Sequence, residues 1–149
     1  MTYTGSPEQV EKAVAQYLHN LGLALYTNAF PASPNKPVCV FGILPTKPDL
    51  AVAINHYNRD PDPDTTEGNP LVMVQLLWRA PDTAKHPVER LAHAAFEVLH
   101  NPRTPVNLPG GIRALSVVRH ITAPAAQDSN GRWTKADSYQ FRLTPGETP

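Results

Sequence analysis

Leu71-Val72-Met73-Val74-Gln75-Leu76-Leu77-Trp78-Arg79 is the longest almost unbroken apolar run in the chain, and its reading decides the fold. Apolar residues fall on both faces, and only Gln75 interrupts them before Arg79. A strand covered on one side would alternate, so this one is expected at the centre of a sheet with both faces covered. The segment from Pro87 to Leu99 follows, with Val88, Leu91, Ala92, Ala95, Val98 and Leu99 on one helical face and Phe96 at its edge. A two-faced strand beside a one-striped helix predicts a small sheet with helices on one face. Something else must then cover the second face, and a partner chain is one candidate.

The chain has 149 residues, which fits one domain, 1–149, with an ordinary core. Its 13 basic and 13 acidic residues give a formal net charge of +0, so bulk charge does not advertise nucleic-acid or membrane binding. Charged residues make up 17%, low against the roughly 25% of a typical domain, as for a surface partly buried by neighbours. The 17 prolines cluster between apolar runs and punctuate loops. Cys39 is the single cysteine and lies in an apolar run. It reads as a small buried hydrophobe and fits a reducing compartment. No signal-peptide pattern and no apolar run of membrane length is seen, so neither secretion by the usual route nor a membrane span is expected.

Ser6-Pro7-Glu8-Gln9 reads as a helix start with a capping box and a proline in the first turn. Val10, Ala13, Val14, Tyr17, Leu18 and Leu21 share the apolar face, Glu8, Lys12, Ala15 and His19 lie opposite, and Gly22 caps the end. Pro31, Pro34 and Pro37 make a loop, after a short extended piece at Ala24–Tyr26. Strands are expected over Val38–Leu44 and Ala51–Tyr57. Asn58 to Pro70 is a polar, acidic loop. After the second helix, Thr104 to Gly111 reads as a Pro/Gly loop and Ile112 to Ile121 as a strand. Asn130-Gly131 is a tight-turn signal. Ser138 to Leu143 alternates strictly, with Tyr139, Phe141 and Leu143 inward. Residues 144–149 form a polar tail expected to fray. The expected class is therefore α+β: two helices packed on one face of a mixed, mostly antiparallel sheet of about four to five strands.

Catalytic chemistry is harder to find. His86, His93 and His100 recur every seven residues, which sets neighbours about 10 Å apart along a helix axis. Two nitrogens on one metal lie within roughly 4 Å of each other, so one straight helix cannot share a metal between them. Glu89, His93 and Glu97 are spaced for mild Glu–His pairing on an exposed face. Asp60, Asp62 and Asp64 imitate a calcium loop, but Thr65 stands where glycine is needed and Leu71 where the last acid belongs. Cys39 has no adjacent base, and no serine sits in a nucleophile elbow. There is no phosphate-binding glycine loop. Asp49 after Pro48 lacks the second acid and lysine of a nuclease core. Arg132 and Trp133 beside the Asn-Gly turn could form a small nucleic-acid platform or a protein contact. No catalytic residue, metal site or cofactor is expected.

One order of features is familiar: Phe41-Gly42-Ile43-Leu44-Pro45, Pro48-Asp49-Leu50-Ala51-Val52, Tyr57 and the acidic loop, then Val74-Gln75-Leu76-Leu77-Trp78-Arg79. The Ala-rich helix to Leu99, Asp128-Ser129-Asn130-Gly131-Arg132 and the Tyr139–Leu143 strand follow. From about Val10 to Leu143 the chain resembles the tail terminator and minor capsid proteins of long-tailed bacteriophages. The long loop at 58–70 and the Pro-rich segment at 31–37 depart from that pattern. The resemblance implies a structural virion protein without an active site. It would form a homohexameric ring that caps the tail tube, ends its polymerisation and makes the tail side of the head–tail junction. The implied partners are the tail tube protein and a head-completion or connector protein, with DNA only passing through the channel and no membrane. Assembly would take place in the bacterial host cytoplasm. Trp78, Arg132 and Trp133 are the candidate interface anchors. Asp60, Asp62, Asp64 and Glu67 are candidates for a channel-facing loop that repels DNA, the alternative being an outer-surface loop. Other readings are a neck connector, a small binding module without a ring, and a metal enzyme built on His93.

Overall fold

The computed structural model describes residues 6–59, 71–81 and 83–144. Helix α1 spans Pro7–Asn20 and α2 spans His86–Leu99. The strands are β1 (Val38–Phe41), β2 (Ala51–Arg59), β3 (Leu71–Ala80), β4 (Val106–Leu108), β5 (Ile112–Thr122), β6 (Ala126–Gln127) and β7 (Trp133–Leu143). They form one sheet in the order β1-β2-β3-β7-β5-β4, with β6 pairing alongside β7. The β1–β2 pair is parallel and the other pairs are antiparallel.

The apolar run at 71–80 is β3, flanked by β2 and β7 in the centre of the sheet. Val72, Val74, Leu76 and Trp78 point to the helix side. They join Val52 and Ile54 of β2 and Tyr139, Phe141 and Leu143 of β7 in the main core. Helix α1 adds Val10, Ala13, Val14 and Leu18, and α2 adds Val88, Ala92, Ala95 and Leu99. Both helices thus pack on one face, as their stripes predict. Ser6 accepts from Gln9 N and Gln9 reaches back to Ser6 N, so the capping box forms. Gly22 sits at φ +76°, where only glycine is unstrained, and closes α1 with Leu23 N bonded to Leu18 O.

The second face is covered on one half by the chain itself. Because β1 and β2 run parallel, residues 42–50 must return along the pair to begin β2. This return crosses the face opposite the helices. Its Leu44 packs with Leu25 and Leu77 on a small second core of Val38, Val40, Ala51 and Ala53. Own chain, not a partner, therefore covers β1, β2 and the Leu77 end of β3.

Several expectations need correction. The sheet has seven strands, where about four to five are expected. The extra β4 and β6 are three and two residues long, too short to show a period. Strand β7 begins at Trp133, five residues earlier than the alternation suggests, because Lys135 and Asp137 stand at inward positions as an ion pair. Ala15 is buried although it reads as an outward residue, since α1 leans on β4 as well as β2. Leu21 and Val98 are exposed although both read as inward, Leu21 because it is the cap beyond the last helical turn. Leu91 is only partly buried, beside the seat made by Val88, Ala92, Ala95 and Leu99. Thr144, read as tail, donates its N–H to Arg113 O. The rest of that tail lies outside the described residues.

Candidate functional site

The most elaborate polar constellation lies at the return between β1 and β2. Arg79 is on the covered second face of β3, opposite Ala51, and is buried. Its Nε donates to Asp49 O at 2.9 Å, and its Nη2 donates to Pro45 O at 2.5 Å and Pro48 O at 2.9 Å. The Lys47–Pro48 peptide between these acceptors is cis. Arg132, just before β7, grips the same segment from the other side. Its Nη1 donates to Thr46 O at 2.9 Å and to Asp49 Oδ1 at 3.0 Å, and its Nε donates to Asp128 Oδ2 at 2.9 Å. Asp128 Oδ1 in turn accepts from Asn130 N and Arg132 N, which fixes the turn before β7, with Gly131 at φ +80°. At the other end of the return, the Asn55 side chain accepts from Gly42 N and donates to Gly42 O, both at 2.9 Å.

The electrostatics follow from this packing. Burial lowers the Arg79 pKa, the neighbouring Arg132 charge lowers it further, and Asp49 and Asp128 oppose both. At Arg132 burial again pulls down, but hydrogen bonds to Asp49 and Asp128 outweigh it and raise the pKa. Asp128 is lowered: desolvation, the largest single cause, pushes its pKa up, but the N–H groups of Arg132 and Asn130 and the Arg132 guanidinium together outweigh it. Guanidinium forks are well matched to several oxygens at once, and here they are spent on backbone carbonyls and carboxylates of the same chain. Together Arg79 and Arg132 form a clasp that fixes the return segment on the sheet. It presents neither a nucleophile nor an acid–base pair.

A second cluster lies under α2. Asp137 is fully buried, accepts from Thr122 Oγ1 at 2.6 Å and pairs with Lys135 Nζ at 2.8 Å, while Arg119 Nη1 stands 3.7 Å away. Lys135 also donates to Ala123 O. Beside this cluster, burial and then the Asp137 charge raise the Tyr139 pKa. Tyr139 Oη and Trp78 Nε1 have no hydrogen-bond partner among the described residues.

The three histidines take separate partners. His86 Nδ1 lies 3.0 Å from Glu89 Oε1, and His93 Nε2 lies 2.7 Å from Glu97 Oε1. His100 Nδ1 accepts from Arg119 N, and its ring stacks on Phe96 at 4.6 Å, while the Arg119 guanidinium lies over the Phe96 ring. Among the described residues no group of three His, Cys, Asp or Glu could hold a metal ion. Cys39 is buried and its thiol is pushed up to about 12 by desolvation.

The residues singled out in the sequence divide. Trp78 is 0% exposed, a core residue, and so offers no surface to a partner. Arg132 is committed to the return segment, with its side chain 14% exposed. Trp133 is partly buried against the core and donates Nε1 to Thr83 O at 2.8 Å. Asp60, Asp62, Asp64 and Glu67 lie outside the described residues. Sequence reasoning missed Asn55, the Asp137 cluster and the joint role of Arg79 and Arg132. Their only signal was an arginine ending an apolar strand, with a second one following an Asn-Gly turn.

A search of curated proteins found no match. The family model described as bacteriophage tail terminator protein matches residues 17–145, from the end of α1 through β7. The match takes in every strand, α2 and both arginines of the clasp, and the chain belongs to the bacteriophage tail terminator family.

Proposed function

We propose that this protein caps the tail tube, ends its polymerisation and forms the tail side of the head–tail junction as a homohexameric ring. The observation that carries the reading is the family match across nearly the whole fold, which makes the chain a structural component of a phage tail. The rigid return segment, held by two arginines and an asparagine, supports a scaffold role. The partners are other copies of the chain, the tail tube protein and a head-completion or connector protein, and DNA only passes through. A closed ring needs a heterologous, head-to-tail contact between copies. No residue is assigned a catalytic or cofactor role.

The test is electron microscopy of particles made with and without the protein. Without it, tubes should grow past their normal length and stay unjoined to heads. Purified protein added to free tubes should bind one end and stop elongation. Tubes of normal length that merely lack heads would favour a neck connector instead. Normal tubes joined to heads in its absence would refute both.

A further inference from the structure

Asp137 Oδ2 and Tyr139 Oη are polar atoms on the helix side of the sheet, fully buried and without a hydrogen-bond partner among the described residues. Leaving such an atom unpaired costs free energy, and folded proteins keep few of them. Two on one strand, two residues apart and on one face, point to a shared ligand.

A third group closes on the same place. Arg119 of β5 stands opposite Tyr139 in the β5–β7 register. Its Nη1 stops 3.7 Å from Asp137 Oδ2, too far for a direct hydrogen bond. Burial is the first cause of the raised Tyr139 pKa, but the Asp137 charge raises it further and the Arg119 charge lowers it, so both groups act on the hydroxyl. The β5 irregularity between Arg119 and Ile121 falls here and bends the strand. Across from it, α2 packs over β3, β5 and β7 and sets small side chains, Ala92 and Ala95, on the core.

The three groups select the chemistry of what joins them. Arg119 can only donate, ionised Asp137 can only accept, and the Tyr139 hydroxyl can do either. An anion would face the Asp137 carboxylate. A cation would face Arg119 and also Lys135, whose Nζ lies 2.8 Å from Asp137 Oδ1. A small neutral molecule that donates and accepts at once satisfies all three.

We propose that one ordered internal water molecule sits between Arg119, Asp137 and Tyr139, donating to Asp137 Oδ2 and accepting from the Tyr139 hydroxyl and Arg119 Nη1. Three partners are the usual number for a buried water. The bridge ties β7 to Arg119, whose guanidinium lies 3.9 Å over the Phe96 ring of α2. The water is thereby part of how α2 is seated on the sheet. This inference is independent of the terminator reading.

Two measurements on the full chain test it. A high-resolution crystal structure should show one water within hydrogen-bond distance of all three groups. Tyr139→Phe removes only the hydroxyl. If that hydroxyl is bonded to water, the variant should raise the unfolding equilibrium constant by about fivefold in urea. Amide exchange at the end of α2, near Phe96, should quicken more than exchange in β1. A Tyr139→Phe protein as stable as wild type or more so would mean that the hydroxyl is unbonded, and would overturn the proposal. So would a structure in which Tyr139 Oη bonds Asp137 or Arg119 directly, or one in which bromide soaked into the crystal replaces the density, which would make the ligand an anion.

Discussion

Removing the Arg79 side chain should be among the most costly surface-to-core changes in this protein. The residue is 3% exposed and makes three hydrogen bonds to the carbonyls of Pro45, Pro48 and Asp49. A bond from a charged donor contributes about 1.5–3 kcal/mol net, so three of them set a gross scale of about 4.5–9 kcal/mol. Against this stands the desolvation of the guanidinium, the first cause of its lowered pKa. Losing one side of a buried charged contact typically costs about 3–5 kcal/mol, and the two scales overlap there. Arg79→Ala is therefore expected to lose about 3–5 kcal/mol. Arg79→Lys cannot place donors at both the Nε and Nη2 positions, so it should lose about 1.5–3 kcal/mol, one bond's worth. Urea unfolding at equilibrium, with the slope unchanged, measures both. Amide exchange in residues 44–50 should quicken in the variants more than exchange in β5. A loss under about 1 kcal/mol for Arg79→Ala would mean that the return segment stays seated without its arginine, and the clasp argument would be wrong.

Asp137→Ala should cost about 3–5 kcal/mol in the same assay, because Lys135 and Arg119 lose their buried counter-charge; Asp137→Asn should cost less, since its amide oxygen still accepts from Thr122. Cys39 should resist a thiol reagent at pH 8 in the native protein and react on unfolding. Its folded pKa lies above the ordinary 9.0, so its contribution to stability is intact below that value and is lost as pH rises toward about 12. Replacing Asp60, Asp62, Asp64 and Glu67 by lysines should leave tails joined to heads but impair DNA delivery if the loop faces the channel, since lysines would hold the phosphates. Unchanged delivery by correctly assembled particles would place the loop elsewhere.

Periodic elements were legible in the sequence, and contacts between distant segments were not. The stripes of α1 and α2, the centrality of 71–79 and the inward alternation of Tyr139, Phe141 and Leu143 are local patterns, and each stands where the pattern puts it. The parallel β1–β2 pair was hidden, because residues 42–50 return without the helix that usually announces a parallel crossover. Reading β3 as two-faced was right, and on one half of the sheet the cover of its second face is the chain itself. Leu44 and the arginine-held prolines do that work on one half, at sequence separations no periodicity can reveal. Trp78 reads as an interface anchor only while its neighbours are unknown; parity with Val72, Val74 and Leu76 puts it in the core.

The segments that carried the family resemblance turn out to meet in space. Pro48-Asp49, Arg79 and Asp128-Ser129-Asn130-Gly131-Arg132 are far apart in the chain, yet Arg79 bonds Pro48 and Asp49, and Arg132 bonds Asp49 and Asp128. What is recognisable in the sequence is thus a way of pinning one crossover to the sheet. Such a clasp needs guanidinium forks, a carboxylate and fixed turn geometry together, and these residue types leave a visible pattern. A contact with another chain needs only a suitable side chain in the right place, and many residues serve. The recognisable residues therefore report the scaffold of the fold, and contacts with other chains need leave no such pattern.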